Sequence, residues 1–215
     1  MSKKLFTKGK IKPGIIRNAA TNECEKLEIY IKEYKYNYSK TTAEEIKEFK
    51  NMPSITDTIK KAALMTIGKG KRHPHHCLKS KNTLETAKDI LLNNQTKISR
   101  ANNFHDLHEI IIKTLKGLKD VGPLYYYDTA LLIGAHLGKL PEKIYLHAGT
   151  KKGAKNIGIN VRGKKYIITQ DLPCHKVFEN FKLRYCEIED FLCIYKEELD
   201  NIFLKQTQAS PQIKC

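Results

Sequence analysis

The segment 121–137, VGPLYYYDTALLIGAHL, constrains the fold of this chain more than any other feature. It is apolar nearly all round a helical wheel, and Asp128 is the only acid between Val121 and Leu140. A helix without a polar face has to be covered by protein on every side. No apolar run in the sequence approaches the ~20 residues needed to cross a bilayer. The segment therefore predicts the buried central helix of a globular core, ended by Gly138.

Helical patterns surround this segment on both sides. Apolar residues recur three and four positions apart, and start signals stand at Thr42 with Glu45 (a capping box), at Ser54 and at Asn103. The predicted helices cover 21–36, 43–52, 54–67, a stretch from 83, 103–116, 122–137, 174–182 and 187–204, with a helical turn at 140–142. The convincing strand pattern is KYIITQ at 165–170. The predicted fold class is mainly α: a single helical domain around a buried central helix (about 122–137), with a minor β element near 165–170.

Length and composition bound the domain organisation. The chain has 215 residues, which suits one domain with a full core. Residues 1–20 lack periodicity and predict a basic mobile arm, 21–205 predict a single mainly helical domain, and 206–215 predict a frayed tail. The N-terminus has positive charge but no apolar stretch of the kind that forms a secretory signal. We expect no membrane association, and the sequence leaves the oligomeric state open.

The cysteines show no disulfide framework. None of the six forms a CxxC pair, and a chain of this size can fold without disulfides. We therefore predict reduced thiols in a cytoplasmic protein, with no cofactor. The six are Cys24, Cys77, Cys174, Cys186, Cys193 and Cys215.

The net charge of +16 is concentrated in three blocks. Residues 1–20, 60–81 and 149–166 hold 19 of the 39 Lys and Arg and no acidic residue, so the rest of the chain is close to neutral. Local blocks create a field that attracts phosphate-bearing partners. We predict a nucleic-acid partner, DNA in preference to RNA. The alternative is that lysine is merely a solvating residue, as 34 Lys against 5 Arg would also suggest.

A short turn at 117–123, GLKDVGP, joins two of the predicted helices. It resembles the helix-hairpin-helix motif of DNA-binding proteins, over about 115–137. The resemblance implies that backbone N–H groups at the start of the second helix contact a DNA phosphate. Gly122 followed by Pro123 at the first helical position suits such a helix start. Asp120 stands where the motif usually has a glycine, and Tyr126 stands where it favours a small residue. An ordinary αα-hairpin with a glycine turn is the alternative.

A glycosylase branch of that superfamily places a lysine two residues after the glycine and an aspartate about twenty after it. Leu124 occupies the first position here, and Glu142 and Tyr145 lie near the second. Base-excision chemistry therefore has little support from individual residues. Tyr125, Tyr126 and Tyr127 could line a pocket for a base, or they could belong to the core.

Candidate catalytic residues are few. Asp128 lies on an apolar helix, and a buried carboxylate needs a partner or a cleft. It predicts either a general base or a structural anchor. His73 and His75 share one face of an extended loop, where they could act as acid and base or contact phosphate. They could instead bind a metal, and a zinc site would need two more ligands, for which Cys174 with His175, or His147, are the candidates. His147 is the fourth candidate.

Candidate phosphate contacts lie in two loops. Lys71 and Arg72 adjoin the histidines, and Lys151, Lys152 and Lys155 follow His147 in HAGTKKGAK, a segment read as a glycine-rich loop whose amides could approach an anion. The Walker spacing is absent. The sequence thus favours a nucleic-acid-binding protein with a role in DNA repair or processing. It leaves open an enzyme acting on a phosphorylated or nucleotide small molecule, and a basic protein-interaction module without chemistry.

Overall fold

The computed structural model describes residues 22–67, 71–72 and 80–203, and within these the fold is mainly α-helical, as predicted. The predicted arm at 1–20, the tail at 206–215 and the histidine loop lie outside the described residues. The helices are α1 Glu23–Tyr34, α2 Lys40–Lys50, α3 Ile55–Ala63, α4 Lys81–Asn93, α5 Gln95–Ser99, α6 Phe104–Leu115, α7 Pro123–Leu137, α8 Ala148–Asn156, α9 His175–Asn180, α10 Tyr185–Ile194 and α11 Lys196–Phe203.

In the part of the chain that the structure describes, four two-residue strands form two antiparallel pairs. Strand β1, Thr66–Ile67, pairs with β2, Lys71–Arg72, and β3, Ile144–Tyr145, pairs with β4, Tyr166–Ile167. β4 lies inside the segment predicted as a strand. The helical turn predicted at 140–142 is wrong, because the chain there runs in non-helical turns into β3.

Helix α7 is the buried central helix that its composition predicts. It begins at Pro123 after Gly122 and ends at Gly138, whose φ of +69° is the left-handed conformation of a glycine C-cap. Gly134 lets the chain fold back tightly, since a Cβ there would collide with the backbone oxygen of Lys139. The Tyr125 hydroxyl donates to the Ala63 carbonyl oxygen at 2.6 Å, which ties α7 to the end of α3.

The buried apolar residues form two cores. The α7 core is built from α2 to α7 together with Tyr145 of β3 and Cys186 of α10. The α10 core is built from α1, α8, α9, α11 and the remaining buried residues of α10 and the β3–β4 pair. Burial of this kind contributes ~25 cal/mol per Å² of apolar surface, so each core stabilises its own set of helices. The largest fully buried members are Phe49, Phe104, Tyr125 and Tyr127 in the first core and Tyr34, Phe178 and Phe191 in the second.

The N-terminal helices differ from the prediction at one start signal. α1 continues through a π-helical turn, Lys35–Ser39, directly into α2, so no N-cap is needed at Thr42. The predicted capping box is therefore wrong, and the Thr42 hydroxyl lies 3.4 Å from Asp190 on α10. The caps at Ser54 and Asn103 are confirmed, because each side chain accepts a hydrogen bond from a first-turn amide.

The prediction of reduced thiols is wrong for one pair. Cys24 at the start of α1 is bonded to Cys174 before α9, with a Cα–Cα distance of 5.5 Å. The fold brings together two residues that are 150 positions apart, a proximity that no local pattern reveals. Cys186 and Cys193 on α10 are free thiols. None of the helices in the described ranges is both long and apolar enough to cross a membrane.

Candidate functional site

The turn between α6 and α7 has the backbone conformation of a glycine-containing hairpin. Gly117 has φ +91° and Asp120 has φ +64°, both in the left-handed region. Asp120 therefore adopts the conformation that glycine would take most easily, and aspartate is one of the few other residues that tolerates it. Gly122 has no side chain to cap α7, and Pro123 has no amide hydrogen. The positive end of α7 thus lacks a side-chain cap.

A buried polar network lies where α8 begins. His147 immediately precedes α8, and its Nε2 contacts the Oε1 atom of Glu189 on α10. The Thr150 hydroxyl donates to the same Glu189 oxygen at 2.6 Å and lies 2.8 Å from His147 Nε2. All three side chains are buried. A buried carboxylate needs such partners, because desolvation strongly disfavours an isolated charge.

Two buried groups hold the imidazole of His147 through the same nitrogen. Nε2 contacts both the Glu189 carboxyl and the Thr150 hydroxyl, and that hydroxyl also donates to Glu189. This is the arrangement of a histidine oriented by a carboxylate.

A small cavity, here called the acidic cavity, lies between α2, α7 and α10. Its volume is about 60 Å³, enough for a few water molecules. Asp128 and His147 both line it, so the structure brings two of the predicted catalytic residues to one place. The other polar residues in its wall are Thr42, Glu45, Glu189, Asp190, Cys186 and Cys193.

A second and larger cavity, here called the aromatic cavity, opens beside the start of α7. Its volume is about 220 Å³. Pro123 lines it, and so do Tyr127 and His147, which also line the acidic cavity. The two cavities therefore share part of their walls. The remaining lining residues are His105, His108, Glu109, Ile112, Tyr145, Leu146, Lys164 and Lys165.

Rings in the aromatic cavity pack on one another around Tyr145. The ring of His108 meets Tyr145 edge to face with centroids 4.8 Å apart, and Tyr127 lies 5.8 Å away. The Tyr145 hydroxyl is 3.0 Å from Nδ1 of His105. Such contacts add to burial and hold the rings in fixed orientations. The cavity therefore has flat, rigid walls.

The charges around the aromatic cavity have identifiable causes. Burial lowers the pKa of His108 to about 4, so its imidazole is neutral at physiological pH. Burial also raises the pKa of Tyr127, which stays protonated. Lys165 lies 3.1 Å from Glu109, and this hydrogen bond lowers the pKa of the Glu109 carboxyl. Lys164 is exposed.

The predicted glycine-rich loop after His147 is a helix instead. Gly149 and Gly153 in α8 face α10, where a Cβ would collide with Cys193 and with the backbone of Leu192. Their role is therefore close helix packing, and the prediction that they form an anion-binding loop is wrong. Lys151, Lys152 and Lys155 lie exposed on α8, and Lys152 pairs with Glu197 at 2.5 Å.

The other predicted residues are only partly described. Lys71 and Arg72 form the backbone of β2, and nothing further is described of their side chains. His73 and His75 lie outside the described residues. The structure therefore places Asp128 and His147 in the wall of one cavity. Gly122 lines neither the acidic nor the aromatic cavity, but it directly precedes Pro123, which lines the aromatic cavity.

Several residues of the site escape sequence reasoning. Glu189 and Asp190 are not among the residues that the sequence predicts for the site. One signal does mark Glu189: its helical neighbours Cys186, Leu192 and Cys193 are all apolar. A carboxylate in an apolar row needs a partner. No local signal marks His108 or Thr150, because their environment is made by other elements.

No family model, curated protein or solved structure matched this chain when it was compared with known proteins. The resemblance of the α6–α7 hairpin to the helix-hairpin-helix motif therefore stays a prediction.

Proposed function

We propose that this protein binds nucleic acid, DNA in preference to RNA, through the hairpin between α6 and α7, in DNA repair or processing. The observation that carries the proposal is the left-handed backbone at Asp120, the position at which the motif has glycine. Together with Gly122 and Pro123 it presents an uncapped helix N-terminus. Such an end attracts phosphate through its first amides and its dipole.

Exposed lysines surround this end of the molecule. Lys116 precedes the turn and Lys119 lies within it, and both are exposed. In the same proposal Lys151, Lys152 and Lys155 on α8 make further phosphate contacts. Lys151 and Lys155 lie one helical turn apart. Phosphate contacts made by lysine release counterions and make binding strongly dependent on salt.

Fluorescence polarisation tests the proposal with labelled single- and double-stranded DNA and RNA from low to physiological salt. We expect affinity to fall steeply as salt rises. The double variant Lys116→Ala/Lys119→Ala should lower the slope of log affinity against log salt by about two. The control Lys47→Ala/Lys50→Ala removes the same charge from α2, where neither lysine lines a described cavity, and should leave the slope nearly unchanged. Absence of binding at low salt, or equal slopes for both variants, contradicts the proposal.

A second candidate function is an enzyme that acts on a nucleotide or another phosphorylated small molecule. The observation that favours it is the oriented imidazole of His147 in a cavity that Asp128 also lines. Here His147 is the general base and Asp128 its charged partner across the cavity. Acid–base groups of this kind contribute about 10²–10⁴-fold to a rate.

This second function is tested by incubating the protein with oligonucleotides and nucleotides and analysing the products by mass spectrometry. Any activity should fall at least about 100-fold in His147→Gln and in Asp128→Asn. The matched control Asp89→Asn changes an exposed acid on α4 and should keep full activity. An activity that survives both substitutions places the chemistry elsewhere.

A cytoplasmic location belongs to the same proposal. The Cys24–Cys174 bond provides the test, because disulfides persist mainly in oxidising compartments. Alkylation of thiols in intact cells, followed by mass spectrometry, should find both cysteines reduced if the protein is cytoplasmic. Finding the pair bonded in cells points to an oxidising compartment instead.

A further inference from the structure

The aromatic cavity is not explained by the hairpin or by the His147 network. Its volume of about 220 Å³ exceeds that of the acidic cavity, about 60 Å³. Tyr127, Tyr145 and His108 provide flat faces that already pack on one another. A rigid space lined by flat rings suits a planar ligand.

Two buried polar atoms in the wall of this cavity have no hydrogen-bond partner within the described structure. They are Nε2 of His108 and the hydroxyl of Tyr127, on side chains that are 9% and 1% exposed. Protein interiors seldom leave such atoms unpaired, because burying them without a partner is costly. Both residues line the aromatic cavity, and Tyr127 also lines the acidic cavity. A ligand with polar atoms on its edge would provide the missing partners.

The charged end of the cavity lies on one side of these rings. Lys164 and Lys165 line it and are exposed, and Pro123 brings the start of α7 to the same space. One acid, Glu109, also lines the cavity and is paired with Lys165. An anionic group attached to the planar ligand would meet the lysines and the positive end of α7.

We propose that the aromatic cavity binds a single nucleobase whose phosphate lies against Lys164 and Lys165. Its volume is below the ~300–1,000 Å³ of pockets that enclose a complete small ligand, so the base enters and the sugar and phosphate stay at the opening. The base lies in the cavity against the packed rings of Tyr127 and Tyr145, not between them, because their centroids are only 5.8 Å apart. Its edge hydrogen-bonds His108 and the Tyr127 hydroxyl. The choice of a nucleobase, among planar anionic ligands, rests on the proposed nucleic-acid function.

Two sources provide this ligand: a free mononucleotide and an unpaired nucleotide in a strand. Isothermal titration of the full chain with AMP, GMP, CMP and UMP tests the first. Ribose 5-phosphate and inorganic phosphate are the controls without a base. Because stacking on aromatic side chains strengthens binding by about tenfold or more, at least one nucleotide should bind at least about tenfold more tightly than ribose 5-phosphate. Polarisation measurements with a single-stranded oligonucleotide and its abasic counterpart test the second source.

Tyr127→Phe is the decisive variant, because it keeps the ring and removes only the unpaired hydroxyl. Its thermal unfolding midpoint should equal or exceed that of the wild type, since a buried unpaired group is lost. Its affinity for the base-containing ligand should nevertheless fall about fivefold. Tyr195→Phe is the matched control: it removes a buried hydroxyl from the α10 core and should leave that affinity unchanged.

The outcomes separate this proposal from the proposed function. A fivefold loss for mononucleotides identifies the free ligand, and a loss confined to the base-containing oligonucleotide identifies a strand. Lys164→Ala/Lys165→Ala should weaken binding of AMP and of ribose 5-phosphate equally. The proposal is overturned if Tyr127→Phe binds every base-containing ligand as tightly as the wild type, even where salt-dependent binding at Lys116 and Lys119 persists. Mononucleotide binding without any oligonucleotide binding would instead keep the base site and reject the hairpin function.

Discussion

The acidic cavity and the aromatic cavity share Tyr127 and His147, yet they differ in every other respect. One side of this shared wall meets Asp128, Glu189 and other carboxylates, and the other meets lysines, imidazoles and rings. The volume of the acidic cavity is about 60 Å³, whereas that of the aromatic cavity is about 220 Å³. The difference shows that one pair of side chains can border two environments of different charge, because each face of the wall is set by different helices.

The largest expected effect comes from the packing that places this wall. Gly153→Val would force a side chain into the backbone of Leu192 and push α8 away from α10. We expect the free energy of unfolding to fall by about 3 kcal/mol or more, with both cavities disrupted. Urea denaturation measures it. Gly122→Ala is the control, because a Cβ there meets nothing within 4 Å, and it should cost less than about 1 kcal/mol. Equal losses would contradict the packing role.

The second prediction distinguishes the aromatic cavity from the acidic cavity by the pH dependence of stability that His108 causes. Burial lowers the pKa of His108 from 6.5 to about 4, so between these values the unfolded chain binds a proton that the folded chain does not. Stability is therefore lost as pH falls from 6.5 to 4, by about 3 kcal/mol from this residue. The measurement is the free energy of unfolding against pH for the wild type and His108→Gln. The variant should lose about 3 kcal/mol less over this range, and parallel curves would contradict the assignment.

A third, smaller effect should be confined to the acidic side of the wall. Thr150→Val keeps the shape of the side chain but removes the hydroxyl that joins Glu189 and His147. Because those buried groups then lack one partner, the free energy of unfolding should fall by about 1–3 kcal/mol. Thermal unfolding measures this loss. Ribose 5-phosphate binding at Lys164 and Lys165 should not change. A loss of that binding would show that the two sides of the wall are not independent.

The smallest effect concerns the hairpin beside the aromatic cavity. Asp120→Asn keeps a residue that tolerates a positive φ and removes a negative charge near the proposed phosphate. In water, a negative charge ~7 Å from a phosphate repels it by about 0.6 kcal/mol. DNA affinity should therefore rise about threefold at low salt, measured by fluorescence polarisation. The gain should shrink as salt rises. An unchanged affinity would move the phosphate away from this turn.

Much of the fold could be predicted from local pattern. The all-round apolar segment predicted α7, Asn103 and Ser54 predicted their caps, and KYIITQ predicted the region of β4. These features are written in neighbouring residues, since propensity, capping and periodicity act over a few positions. The prediction failed at HAGTKKGAK, where glycines indicated a loop but serve helix packing.

The site could be predicted less well. Asp128 stood out as an acid on an apolar helix, and it does line a cavity with His147. Glu189, Thr150 and His108 did not stand out. Their roles depend on helices that are distant in the sequence, and periodicity carries no information about which helices meet.

The sequence by itself determined that this chain is mainly helical, that 121–137 lies at its centre, and that its positive charge is local. Only the tertiary structure decided that His147 faces Glu189, that Cys24 meets Cys174, and that two cavities share one wall. The physical reason is range. Helix formation and burial follow from neighbours three or four residues apart, whereas a site arises where helices from separate cores pack together.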